Sequence, residues 1–180
     1  MKKLFLSLVV LLCGMGIISA QDFAKFRFGV TGGMNISNTT SEVADSKIGF
    51  QVGLRGEYNF NNSLYLNAAI LWDQKGWKVE DESANNGYIN LPIHIGYRYN
   101  FSEKFSIFAE VGPYFAYGVT GDIFDIDGIN RFDCGIGGRA GIEICKFQVH
   151  AGYDYGLTDL ADIEDAAKNT NIMVGVSYMF

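Results

Sequence analysis

The stretch N-I-M-V-G-V-S-Y-M-F, residues 171–180, decides the fold. Ile172, Val174, Val176, Tyr178 and Phe180 fall on one face of an extended strand; Asn171, Met173, Gly175, Ser177 and Met179 fall on the other. The apolar face runs to the last residue and carries two aromatics. A strand of a membrane barrel has this form, because its outer face meets lipid while its edges pair with neighbouring strands. A strand in a soluble sandwich shares the period, so the remaining chain must choose between them.

Seven more stretches repeat the alternation. The expected strands are 26–36, 47–58, 63–77, 87–99, 105–118, 132–145 and 147–157, with 171–180 as the eighth. Turns at 59–62, 100–104 and near Lys146 are short, whereas the connections 37–46, 78–86, 119–131 and 158–168 are long and polar. An even strand count, lengths of about 11–14 residues and alternating short turns and long loops describe an all-β, eight-stranded antiparallel up-and-down transmembrane barrel. One helical turn is expected at 162–167. Pro92 and Pro113 each remove a ladder donor, and bulges are expected there.

One face of these strands is almost free of charge. The other carries Arg27, Arg55, Lys75, Arg98 and Arg139 with Glu57, Asp73, Glu110, Asp133, Glu143 and Asp154. In a sandwich this set would face water; in a membrane barrel it turns inward and pairs across a narrow lumen. Eight strands enclose only enough room for side chains, and glycines on the same face leave space for Arg and for Tyr65, Tyr88 and Tyr114. A filled, hydrogen-bonded interior is the expectation, with a narrow pore gated by rearranging ion pairs as the alternative. Outward aromatics gather near strand ends, as two interfacial girdles would.

Residues 1–20 read as a signal peptide: Lys2 and Lys3, an apolar run over 4–18, and Ser19-Ala20 before Gln21. Residues 21–180 form the single barrel domain. Loss of the leader takes the net charge from −6 to −8, and no basic stripe for nucleic acid is present. Cys134 and Cys145 sit near opposite ends of one strand, roughly 35 Å apart when extended, and do not pair.

No catalytic, cofactor or metal set emerges. His94 and His150 point inward, and Ser106 with Asp154 or Glu110 lacks the context of a nucleophile and base. Asp122, Asp125 and Asp127 lack calcium-loop spacing. The acidic loops suit divalent-bridged contact with lipopolysaccharide or an unidentified protein partner.

Several segments together resemble a family. F-G-V-T-G-G-M-N-I-S-N at 28–38, Y-I-N-L-P-I-H-I-G-Y-R-Y at 88–99, E-V-G-P-Y from Glu110, F-D-C-G-I-G-G-R-A-G at 132–141, Y-D-Y-G-L-T-D-L at 153–160 and the closing V-G-V-S-Y-M-F are similar to the small outer-membrane β-barrel proteins of the Bacteroidetes, the porin-family proteins. The resemblance implies the cell outer membrane of a Gram-negative cell. It also implies insertion by the outer-membrane assembly machinery, which would read Ile172, Val174, Val176, Tyr178 and Phe180. It implies no catalytic residues, and the porin label does not establish transport. A structural or surface-contact role follows, with a secretion-system accessory barrel or a periplasmic barrel for a hydrophobic ligand as further alternatives. Spin labels at Val52, Ile93 and Val174 should report hydrocarbon in reconstituted protein; an aqueous or tightly packed environment would overturn the membrane reading.

Overall fold

A computed structural model describes residues 25–39, 45–79, 82–121, 130–159 and 168–180. Eight strands form one antiparallel sheet: β1 (Phe26–Thr39), β2 (Asp45–Asn59), β3 (Leu64–Val79), β4 (Glu82–Ser102), β5 (Phe105–Thr120), β6 (Phe132–Ile144), β7 (Phe147–Asp159) and β8 (Lys168–Met179). Each pairs with its sequence neighbours, and β8 returns to β1, so the sheet closes into a barrel. The closing ladder runs from Gly29↔Met179 to Thr39↔Asn169 without a register shift. A soluble two-sheet sandwich is thereby excluded.

Closure satisfies the strand edges; alternation then decides the faces. Val30, Met34, Phe50, Val52, Leu54, Ile70, Ile95, Val111, Ile136, Val174 and Val176 are exposed outward, and the residues between them are buried inward. Ile93 is also on the outward register and half-buried. A one-residue slip would exchange every face, so a continuous apolar exterior pins the register. The continuous apolar face points outward and the lumen is mostly polar, with Leu71, Phe108, Met173 and Met179 as inward exceptions, which is the reverse of the inward apolar face that a hydrophobic-ligand barrel needs.

Several expectations need correction. The 78–86 connection is mostly ladder: Lys75↔Asn86 through Val79↔Glu82 continue the β3–β4 pairing. β4 therefore starts at Glu82 rather than at 87 and is the longest strand, 21 residues. Polar composition suggested a loop there, but an antiparallel partner supplies the backbone bonds whatever the side chains are. The strands flanking 40–44 likewise extend beyond their expected limits. The helical turn expected at 162–167, residues 1–24 with the expected signal peptide, and Asp122, Asp125 and Asp127 lie outside the described residues.

The prolines do not mark bulges. Pairing with β3 lapses at Leu91–Pro92 and resumes in the same register, while Pro92 stays opposite Tyr114 on β5. Pro113 stays opposite Ile136 on β6 and lacks a partner on β4. Each ring costs one ladder bond on one side only. The register shifts fall instead at Ser46/Gln51, Gly87/Tyr88, Asn100/Ser102 and Tyr155/Asp159.

The connections 60–63, 103–104 and 145–146 define a short-turn rim. Asn61 caps the first by accepting the Ser63 and Leu64 N–H groups at 2.8 and 2.7 Å. Cys145, expected in β6, lies in the last turn with φ 58°, a conformation that normally favours glycine. Both Cys134 and Cys145 are unbridged. Outside this rim, rings form a belt: Phe26 packs on Tyr58 at 4.8 Å, Tyr58 on Phe60 at 5.2 Å, Tyr99 on Phe101 at 4.8 Å and Phe147 on Tyr178 at 4.9 Å. Tyr178 meets Phe180 at 5.5 Å, so the terminal residue joins the belt. Val174, midway along β8, is 56% exposed on the outer face. Val174→Arg should destabilise the barrel by about 2–4 kcal/mol in urea titrations in lipid, the cost of a cation near the bilayer midplane; Ser177→Ala, on the inner face, should cost less.

Candidate functional site

The interior is the only described surface where chemistry-bearing side chains converge. β-alternation aims Arg55, Glu57, Asp73, Lys75, Arg98, Glu110, Asp133, Arg139, Glu143 and Asp154 into it, and all are buried. Arg27 joins them from the short-turn end and is half-buried. Burying this many charges is tolerable only with partners and hydrogen bonds. The partners are arranged in two clusters, one near each end.

The short-turn cluster is built on three carboxylates. Glu57 accepts from Arg98 Nη2 at 2.5 Å and from Gln148 at 3.1 Å, and it lies 3.3 Å from both Arg27 and Arg55. Glu143 takes a two-pronged contact from Arg27 at 2.7 and 3.2 Å and a bond from Gln148 at 2.8 Å. Such forks are the strong form of the pair. Glu110 accepts from Arg55 and Tyr65 at 3.2 Å and from Asn67 at 3.1 Å. These partners come from β1 to β7, so ion pairs span the lumen and do not merely decorate one hairpin.

Tyr65 fills the space between. Its ring lies against Gly96, where any Cβ would collide with it, and the Arg98 guanidinium sits 4.5 Å from the ring centre. Glycine at 96 therefore admits a ring and, through it, an arginine. At the β1–β8 seam Ser177 donates to Thr31 Oγ1 at 2.9 Å, tying the closing strands from inside.

The loop-end cluster is looser. Lys75 Nζ is 3.7 Å from Asp73 and 3.6 Å from Asp133, and it rests over the Tyr88 and Tyr114 rings at 5.3 and 5.1 Å. Asp73 accepts from Asn35 at 2.5 Å and Asn90 at 3.3 Å. Asp133 accepts from Thr158 at 3.0 Å and Asn169 at 3.1 Å. Here neutral amides and hydroxyls do much of what arginines do at the other end.

The eleven charges singled out by sequence thus all lie on the lumen side; nine of them are ion-paired or hydrogen-bonded within the two clusters, whereas Arg139 and Asp154 form no ion pair. Reading by charge alone passed over Asn35, Asn67, Gln148, Asn169 and Thr158. Parity shared with Arg27, Asp73 and Asp154 on the same strands was the available signal for Asn35, Asn67, Gln148 and Thr158; β8 carries no inward charge to mark Asn169. Ser106 and His94 do not assemble as a nucleophile and base: Ser106 is opposite Asn100 on β4, six residues from His94 and roughly 20 Å along the strand. Glu57→Gln should destabilise the folded barrel by about 3–5 kcal/mol in denaturant titrations, since three arginines lose a shared anion in a dry site. Arg27→Gln, at the wetter rim, should cost less.

The chain matches the outer membrane protein beta-barrel domain family over residues 6–180. No curated protein matches it. Among solved structures it resembles the neisserial surface protein A at 15% identity and TM-score 0.54, covering 87% of this chain and 97% of that one. It also resembles Ail, the attachment invasion locus protein of Yersinia pestis, at 18% identity and TM-score 0.50, covering 87% and 99%. OprG of Pseudomonas aeruginosa is similar at 15% identity and TM-score 0.50, covering 86% and 95%. These likenesses concern the fold, and they agree with the closed sheet. The chain belongs to the outer membrane protein β-barrel domain family and is an outer-membrane barrel of eight strands.

Proposed function

We propose that this barrel is a non-enzymatic envelope protein whose interior is blocked to solutes and whose loop end makes surface contacts. The observation that carries the first half is the pair of ion-bonded clusters. Glu57 and Glu143 at one end and Lys75 with Tyr88 and Tyr114 at the other leave their side chains almost wholly buried in the lumen. A solute would have to break several charge-assisted bonds in a low-dielectric site before it could pass.

The second half rests on the loop-side sequence. Glu80, Asp81, Glu82, Asp122, Asp125 and Asp127 make the sequences of the expected long connections acidic. Such a surface suits divalent-bridged contact with lipopolysaccharide phosphates, or a basic patch on a protein. It does not suit a polyanion such as the heparin analogue found with Ail. Removal of a leader over 1–20, insertion through the assembly machinery by way of the Phe180 strand, and an affiliation with the porin-family proteins of the Bacteroidetes belong to the same reading and rest on the quoted motifs. The accessory role in a secretion system is carried by no feature of the interior or the strands.

A narrow pore is the second reading, favoured by the looser loop-end cluster, where Lys75 has ion pairs of 3.6 Å or more. The two are separated in planar bilayers. The purified, heat-modifiable barrel should give no unitary conductance at neutral pH. Steady conductance whose ion selectivity changes on Arg55→Gln or Arg139→Gln would replace the blocked reading with the pore.

A further inference from the structure

Midway between the two clusters the polar groups stop matching. Arg139 Nε and Nη2, both nitrogens of His150, both carboxylate oxygens of Asp154 and both side-chain polar atoms of Asn171 have no hydrogen-bond partner, and each of these residues is at most 4% exposed. A buried carboxylate without any partner is costly. The charge count makes the mismatch quantitative. The interior set holds five fixed cations against six carboxylates, so one negative charge inside the hydrocarbon-clad barrel has no counter-charge among these groups.

His94 occupies the place where that charge could be met. Its Nδ1 lies 3.6 Å from Glu110 Oε1. Its Nε2 and Asp154 Oδ1 both press on the lumen face of Gly137, where they are among the nearest atoms a side chain there would meet. The ring thus stands between a carboxylate on β5 and an unpartnered one on β7. Around it are Arg55 from β2, Asn67 opposite it on β3, Glu110 from β5, Arg139 from β6 and Asp154 with His150 from β7; Lys75 and Asp73 lie towards the loop end. Neither ring has a hydrogen bond to its nitrogens, but His94 alone lies within ion-pair distance of a carboxylate, so His150 is the poorer place for a charge.

We propose that the barrel interior binds one proton, held on His94 as an imidazolium that donates from Nδ1 to Glu110 and from Nε2 to Asp154, directly or through a water. The proton comes from solvent and the neutral ring accepts it, so the interior set goes from one net negative charge to none. Both donors then face acceptors, and Asp154 gains a partner. The site depends on the interior geometry alone, whether or not the barrel conducts.

The test is nitrogen-15 NMR of histidine-labelled, full-length mature barrel in lipid nanodiscs at neutral pH. The wild-type barrel should show His94 with both ring nitrogens protonated and His150 as a neutral ring. Asp154→Asn equalises the fixed charges, and His94 should then become neutral at the same pH while the change in gel mobility on boiling persists. A neutral His94 in the wild type overturns the proposal, and the wild-type spectrum stands even if the variant does not fold. So does an imidazolium that survives Asp154→Asn unchanged, which would assign the proton to Glu110 alone. A neutral His94 whose shifts follow sodium or potassium concentration would give the deficit to an alkali ion instead.

Discussion

The backbone pairing of β1 with β8 is the constraint on which the structure depends. A bilayer offers no water to an open strand edge, so an unclosed sheet would leave a row of N–H and C=O groups unsatisfied in hydrocarbon. The ladder from Gly29↔Met179 to Thr39↔Asn169 removes that edge. Once it forms, each strand has two neighbours, the inside and outside are distinct, and a single register serves the whole sheet. The Ser177–Thr31 hydroxyl bond and the Tyr178–Phe180 ring contact strengthen the seam on its two faces.

Closure also creates the electrostatic problem the interior solves. A narrow polar lumen inside lipid is a low-dielectric site, where charges are cheap only in company. The short-turn end solves this with arginine forks, each carboxylate shared among several donors. The loop end uses one lysine, two tyrosine rings and a ring of amides. The difference gives one end short, shared ion pairs and the other longer ones. It also leaves the middle, around His94, Arg139 and Asp154, as the part where fixed groups alone do not balance.

Family and fold agree at low sequence identity because what is shared is physical and not residue-specific. Outward positions need only be apolar, and in this chain Val, Ile, Leu and Phe all serve there. Inward positions need only be matched in charge and volume with whatever stands across the lumen. A partner network can therefore drift while the barrel persists, which is why likeness of fold says little about what such a barrel touches.

Alternation was legible because each strand of a membrane barrel carries the inside–outside decision in every second residue. From that alternation, Val174 is put on the outer face and Arg55, Glu57 and Asp154 in the lumen, and the breaks in the pattern put short turns at 59–62 and near Lys146, within a residue of the observed 60–63 and 145–146. Composition misled where it was read as loop: residues 82–86 are strand because residues 75–79 lie beside them, and pairing across strands leaves no mark in one strand's own sequence. The same holds for Pro92 and Pro113, whose missing donors fall on a single side, and for Cys145, whose turn is set by the hairpin that it closes. Partnership was the part only tertiary structure could decide. That Arg98 meets Glu57, that Lys75 rests on Tyr88 and Tyr114, and that His94 stands between Glu110 and Asp154 depend on strand stagger and barrel closure, which bring residues far apart in sequence to the same height in the lumen.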